Sequence, residues 1–107
     1  MRIRKATDKI NKEEVELIAA ASDALAHPAR VEIFRFIYAE NLARRPVCNK
    51  DIVENFPYAQ ATVSQHIARL VSSGLVDPEK KGNKSFYYVN IGILGKYLNA
   101  VKKLNEI

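Results

Sequence analysis

Apolar residues recur with the period of an α-helix in several segments between residues 12 and 73. One stripe begins after Asn11, where acidic residues favour a helix start, and another begins at Pro28, since proline suits the first helical position. A short helix is expected from Lys50 to Asn55, with Asn49 as its N-cap. A further stripe runs from Gln60 to Ser73, so this part of the chain is predicted to hold four helices.

The period changes after Gly74, a residue suited to the left-handed conformation that ends many helices. Two strands are predicted beyond it, at 75–78 and 85–89. In the connection between them, Gly82 and Asn83 are suited to the positive φ angles of a hairpin tip. A last apolar stripe from Ile91 to Ile107 predicts a final helix.

A short helix, a turn, a longer helix, a glycine and a lysine-tipped hairpin form the layout of a winged helix-turn-helix. The expected fold class is therefore mainly α with a small β-hairpin, in the order α-α-α-α-β-β-α. We expect one domain over residues 1–107, because a chain of this length has no room for a second core. Residues 1–10 are rich in arginine and lysine and are interpreted as a basic N-terminal arm.

Composition narrows the class of partner. Seventeen Lys and Arg against twelve Asp and Glu give a net charge of +5, which favours a polyanion such as double-stranded DNA.

The single cysteine, Cys48, excludes an internal disulfide framework and predicts a cytoplasmic location. No apolar run is long enough to span a membrane. No catalytic residue set, metal cluster or phosphate-binding glycine loop is legible, so we expect neither an enzyme nor a cofactor.

The fourth predicted helix carries the candidate DNA contacts. It is expected to bury Val63, Ile67 and Leu70, so the opposite side of its first half points outward with small and amide side chains. Such side chains fit a major groove, and glutamine can pair with adenine, while lysines on the hairpin contact phosphates through charge. The candidates are Gln60, Ala61, Thr62, Ser64 and Gln65 on this helix, Lys50 on the preceding helix, and Lys80, Lys81 and Lys84 on the hairpin.

Other interpretations of these two features stay open. The helix face fits an ordinary solvated surface, and the hairpin lysines fit a charged edge that deters strand pairing. A winged helix that binds another protein, with little affinity for DNA, is the alternative function.

Three segments of the chain resemble ArsR/SmtB-type transcriptional regulators. Ala24–Ile33 is similar to the start of their second helix and Gln60–Leu70 to their recognition helix. Ser73–Val76, Lys81–Lys84 and Phe86–Tyr88 are similar to their wing. The resemblance implies a repressor that reads a roughly palindromic operator as a homodimer joined by its first and last helices, here 12–26 and 91–106. The residues expected in the dimer interface are Ile18, Leu94, Tyr97, Leu98 and Val101.

Many members of that family bind a metal ion that releases the operator, but neither of two familiar sites is complete here. One uses a Cys-x-Cys pair ahead of an acidic residue, and this chain has Cys48 followed by Lys50 in place of the second thiolate. The other uses Asp and His pairs on the last helix, and Ile91–Ile107 contains no Asp, His or Cys. We expect His27 to cap or hydrogen-bond and His66 to be a satisfied structural imidazole. We therefore predict no metal site, and the effector is left open.

Cys48 is also a candidate redox switch. Nearby Lys50 and a helix start favour the thiolate form that oxidants attack. The alternative is a small side chain that is merely buried.

Overall fold

The computed structural model describes residues 10–106, and the predicted order of helices and strands is confirmed within that range. The elements are α1 (Lys12–Ala24), α2 (Pro28–Leu42), α3 (Asn49–Asn55), α4 (Gln60–Ser72), β1 (Val76–Lys81), β2 (Lys84–Val89) and α5 (Ile91–Lys102), followed by a single 3-10 turn (Lys103–Asn105). The predicted basic arm at residues 1–10 lies outside the described residues apart from Ile10. No helix within the described range is long and apolar enough to cross a membrane.

The first two helices begin where their capping residues place them. Asn11 Oδ1 accepts from the Glu14 amide at 2.8 Å, and Glu14 Oε1 accepts from the Asn11 amide at 3.1 Å, which together form a capping box. His27 Nδ1 accepts from the Ala29 amide at 3.1 Å, so the predicted capping role of His27 is confirmed. Pro28 then occupies the first turn of α2, where its missing amide costs no hydrogen bond.

The core lies between α2, α3, α4 and the hairpin. Its largest fully buried side chains are Ile33, Ile37, Val47, Ile52, Val63, Leu70, Leu75 and Val76. The hairpin is fixed to this core by polar contacts, because the side chain of Asn41 donates to the Tyr87 carbonyl at 3.2 Å and accepts from the Val89 amide at 2.8 Å. The Tyr87 amide also donates to the Val47 carbonyl at 2.9 Å. These bonds hold β2, and with it the whole hairpin, at a set angle to the helices.

The strands are longer than the sequence pattern predicted. β1 pairs antiparallel with β2 from Val76↔Val89 to Lys81↔Lys84, so the connection shrinks to a two-residue turn at Gly82 and Asn83. Gly82 has a φ of 64° as predicted, but Asn83 does not have a positive φ, and that part of the prediction was wrong. A two-residue hairpin turn can require a positive φ at its first central residue alone, which explains why one glycine is enough.

The start of α3 also differs from the prediction. Asn49 is the first residue of the helix and Cys48 is the N-cap, whose amide donates to Asp51 Oδ2 at 2.8 Å. Asn49 does not cap, because its side chain donates to Ser64 Oγ at 3.1 Å and so joins α3 to α4.

Candidate nucleic-acid interface

α4 presents one face to the core and the other to solvent. Its buried residues are Val63, His66, Ile67 and Leu70. Of the predicted DNA contacts on this helix, Gln60, Ala61, Ser64 and Gln65 are exposed and Thr62 is half-buried. The outward face is therefore available to a ligand, although its binding role stays a prediction.

The start of α4 has polar groups without side-chain partners. Its N-cap is Ala59, and no side chain of the described residues caps the first turn. The amides of a first helical turn have no partner within the helix, and they attract anions such as phosphate. This helix end is therefore suited to lie against a nucleic-acid backbone.

The three predicted wing lysines are exposed but do not all point the same way. Lys81 and Lys84 are directly opposite each other in the strand register and so share one face of the hairpin, while Lys80 pairs with Ser85 on the other face. Lys81 Nζ also lies 3.5 Å from Glu79 Oε1 and 5.8 Å from the centroid of the Phe86 ring. Two like charges placed opposite each other disfavour the free hairpin, and a phosphate between them removes that repulsion.

Three of the predicted contacts from separate elements meet at one groove. Lys50 from α3, Gln60 from α4 and Lys84 from β2 line a groove of about 330 Å³ between the helices and the hairpin.

Cys48 is half-buried beside this groove, and its thiol has no disulfide partner because the chain has no second cysteine. Burial raises the pKa of the neighbouring Tyr87 phenol above its ordinary value. Whether Cys48 responds to oxidants stays a prediction.

A second surface is formed by α1 and α5, which pack against each other. The Ser22 and Tyr97 hydroxyls are hydrogen-bonded at 2.9 Å, and Lys103 Nζ lies 2.7 Å from Glu14 Oε2. Of the residues predicted for the dimer interface, Leu98 is 52% exposed and Ile18, Leu94, Tyr97 and Val101 are half-buried. Three further exposed apolar residues on these helices and the turn that follows, Val15, Ile91 and Leu104, were not among the residues predicted for the interface. The helical spacing of Val15 from Ile18 and of Ile91 from Leu98 places each pair on one helix face, which was a usable signal.

His27, the N-cap of α2, lies against His66 on the inner side of α4. Their ring centroids are 4.9 Å apart, and His66 is 9% exposed with Nδ1 3.3 Å from Arg30 Nη1. The prediction of a satisfied structural imidazole at His66 is confirmed. Arg30 was missed as its partner, because a contact between residues 36 positions apart leaves no local pattern.

Within residues 10–106, no group of three or more His, Cys, Asp and Glu side chains is placed to hold a metal ion.

Comparison with known proteins agrees with this geometry. Residues 27–77 match the family model described as "Bacterial regulatory protein, arsR family". The arsenical resistance operon repressor of Staphylococcus aureus is 32% identical over 81 residues, which cover 76% of this chain and 73% of that protein.

Solved structures with the same fold include an ArsR-like transcriptional regulator from Rhodococcus sp. RHA1, with a TM-score of 0.73, 20% identity and coverage of 86% of this chain and 82% of that one. The homodimeric winged helix-turn-helix DNA-binding domain of a possible ArsR-family regulator from Mycobacterium bovis gives a TM-score of 0.62 at 21% identity, covering 95% and 86% of the two chains. The chain therefore belongs to the ArsR family of bacterial regulatory proteins and has its winged helix-turn-helix fold.

Proposed function

We propose that this protein is a cytoplasmic transcriptional repressor that binds a palindromic DNA operator as a homodimer. The observation that carries the proposal is the groove at which Lys50, Gln60 and Lys84 meet, beside the exposed face of α4. Charge supports the same partner, because a chain with a net charge of +5 releases counterions when it neutralises phosphates.

Each candidate side chain has a chemical role in this proposal. The amides of Gln60 and Gln65 read base edges in the major groove, with adenine as their best match. Ser64 Oγ already accepts a bond from Asn49, so its hydroxyl hydrogen remains free to donate to a phosphate or a base. Lys50 and Lys84 contact the backbone beside the start of α4, where they fix its position without reading sequence.

Dimerisation through α1 and α5 is part of the proposal. The exposed apolar residues on these helices would be covered by a second copy of the chain, and a related domain from Mycobacterium bovis is described as homodimeric. A two-fold dimer places two α4 helices in symmetry-related positions, so the operator is expected to be a palindrome.

The regulator is proposed to act without the metal sites familiar in this family. The Staphylococcus aureus relative is named for arsenical resistance, but this chain has one cysteine, and soft metals require several nitrogen or sulfur ligands. Lys50 stands where a second thiolate of the Cys-x-Cys pattern would be.

Binding-site selection followed by a salt titration tests the function. Purified protein should enrich one palindromic sequence from random DNA, and its affinity should fall steeply as salt rises. A variant with Gln60→Ala and Gln65→Ala should lose about tenfold or more of the preference for operator over random DNA, since each good base pairing contributes about 1–3 kcal/mol.

Replacing wing lysines should have a different effect. Lys81→Ala with Lys84→Ala should weaken binding to all sequences and reduce the salt slope by about two, one for each phosphate contact. The matched control, Lys12→Ala with Lys96→Ala, removes the same charge from exposed positions on α1 and α5 and should change the slope far less. Little affinity for any DNA, with no steep salt dependence, would contradict the proposal and favour a protein-binding winged helix.

A further inference from the structure

Three helices meet at the guanidinium of Arg30, near the start of α2. Its Nε donates to the Ala24 carbonyl at 2.6 Å and its Nη2 to the Asp23 carbonyl at 3.4 Å, both at the end of α1. Its Nη1 lies 3.3 Å from Nδ1 of His66 on α4. One side chain therefore joins the end of the helix proposed for dimerisation to the helix proposed to read DNA.

A second contact spans the same two helices but is weaker. Arg69 Nη2 of α4 lies 2.7 Å from Asp23 Oδ2 of α1, and the two side chains are 53% and 66% exposed. Ion pairs this exposed contribute little in water because solvent and salt screen them. The connection through Arg30 and His66 is the better protected of the two, since His66 is only 9% exposed.

The chemistry of the Arg30 contact fixes the state of His66. A guanidinium has donors and no acceptor, so His66 Nδ1 must accept and its ring proton must be on Nε2. The ring is therefore neutral when the contact is made. Protonation would place a second donor hydrogen on Nδ1, directly against the Arg30 donor, and the hydrogen bond would be lost.

The surroundings of His66 also oppose its protonation. Its charged and titratable neighbours are Arg30 and Glu32 on α2, His27 before α2, Asp23 at the end of α1, Tyr58 before α4 and Arg69 on α4 itself. Glu32 lies beyond Tyr58, to whose hydroxyl it is hydrogen-bonded at 3.4 Å, and the Asp23 carboxylate is paired with Arg69. Burial lowers the pKa of His66, and the charges of His27 and Arg30 lower it further.

We infer that Arg30 and His66 are positioning residues, which hold α4 against the end of α1 while His66 is neutral and release it when His66 is protonated. Acid should then weaken operator binding, because two α4 helices whose position relative to α1 is no longer fixed fit both half-sites poorly. This inference rests on the proposed DNA-binding function.

The direction of the pH effect separates this mechanism from simple charge. A protonated histidine adds positive charge, which by itself strengthens binding to phosphates. The contact between Arg30 and His66 predicts the opposite, a loss of affinity in acid. The ordinary histidine pKa is about 6.5, and the pKa of His66 is lowered from it. The loss of operator affinity is therefore expected to begin below that pH and to grow as the pH falls through the lowered pKa of His66.

We test the inference by measuring operator affinity at constant ionic strength. The two pH values, about 7.5 and about 5.5, lie on either side of the ordinary histidine pKa. The wild-type protein should bind the operator several-fold more weakly at the lower pH, because protonation of His66 breaks the contact with Arg30 in each copy of the dimer. In His66→Gln the amide oxygen can still accept from Arg30 but does not titrate, so affinity should be nearly the same at the two pH values. His27→Asn is the matched control, since it removes the other histidine, retains a capping acceptor and should keep the acid-induced loss.

Unchanged or tighter binding of the wild-type operator at the lower pH would overturn the inference while leaving the DNA-binding proposal intact. Absence of DNA binding at pH 7.5 would instead overturn the proposed function. In that case nitrogen-15 NMR of the free protein decides the inference: it requires the Nε2–H tautomer at His66 and a pKa below the ordinary value. An Nδ1–H tautomer or an ordinary pKa would rule it out, and Arg30→Gln should move that pKa upward.

Discussion

At the residue scale, α2 and α4 are each followed by a residue in the left-handed conformation, but the two residues carry different side chains. The residue after each C-cap has a positive φ, 61° at Arg44 and 88° at Gly74. At the end of α2 the Arg45 amide donates to the Glu40 carbonyl at 2.9 Å and the Arg44 amide to the Asn41 carbonyl at 3.0 Å, the two bonds of a Schellman motif. Glycine adopts this conformation without strain, whereas a residue with a Cβ atom does not.

Opposite substitutions at these two positions should therefore have opposite effects on stability. Arg44→Gly should raise the free energy of unfolding by roughly 0.5–1 kcal/mol, because the relief of strain exceeds the added freedom of the unfolded chain. Gly74→Ala should lower it by about 1 kcal/mol, although a Cβ there would meet Ile93 only at an ordinary 3.9 Å.

Urea denaturation at fixed protein concentration measures both effects. Gly74→Asn is the control, since asparagine tolerates this conformation better than alanine and should recover part of the loss. Equal destabilisation by the alanine and asparagine variants would mean that contacts, and not backbone strain, decide the cost at Gly74.

These two residues also mark the limit of prediction from sequence at this scale. Gly74 was predicted because glycine after an apolar stripe is itself a signal for a helix end. Arg44 was not, since arginine carries no preference for a positive φ and the bonds of the Schellman motif impose it. The same limit applied to His66, which was predicted to be a satisfied structural imidazole but whose partner Arg30 was not predicted.

At the element scale, one carboxylate serves both the start of α1 and its contact with the segment that follows α5. Glu14 completes the capping box of α1 and also accepts from Lys103 Nζ at 2.7 Å, just beyond α5. The hydrogen bond from Lys103, followed by the bond from the Asn11 amide, holds the pKa of Glu14 below its usual range. Its contribution to stability is therefore present above the ordinary glutamate pKa and is lost as pH falls through the lowered value.

Glu14→Gln should lower the urea midpoint at neutral pH and have little effect in acid. At about pH 7 the variant loses the charge that Lys103 and the helix start favour, whereas well below about pH 4.3 the wild-type carboxyl is itself neutral. Glu13→Gln, at an exposed position in the same turn, is the matched control and should change the midpoint less. A difference between wild type and Glu14→Gln that persisted undiminished in acid would show that the carboxylate charge is not its cause.

The order of helices and strands was predictable, because it depends on periodicity and on local caps and turns. Errors arose where a residue at an element's end is engaged by a distant one. Asn49 was predicted to cap α3, but it donates to Ser64, fifteen residues away. The extra length of the strands comes from their pairing with each other, which continues through Glu79↔Phe86 and Lys80↔Ser85 to Lys81↔Lys84. Local sequence patterns do not contain such contacts.

At the scale of the whole molecule, α1, α5 and the following turn carry an apolar surface that the single chain leaves open. Val15, Ile91, Leu98 and Leu104 are 52%, 57%, 52% and 59% exposed. Placing this surface against a second copy removes it from water and sets the distance between two α4 helices. The position of α4 relative to α1, held by Arg30, then matters to both half-sites at once.

Leu98→Lys should therefore separate the proposed dimer, because it would bury a charge where the two copies are proposed to meet. Light scattering after gel filtration should show half the wild-type mass. Leu42→Lys is the matched control, since Leu42 is 71% exposed at the end of α2, outside the proposed interface, and its substitution adds the same charge. That control should keep the wild-type mass.

The same pair of variants connects assembly to DNA recognition. A monomeric Leu98→Lys protein still has α4 and the wing, so it should bind a single half-site with about half the salt slope of the dimer, because it neutralises half as many phosphates. It should also lose the dependence of affinity on half-site spacing, which arises only when two reading helices are joined. A monomeric Leu98→Lys protein that still distinguished operators by half-site spacing would contradict this expectation, because the α4 helices of two copies would then be brought together by the DNA and not by α1 and α5. The contribution of α1 and α5 to recognition would then be wrong even though their role in assembly was right.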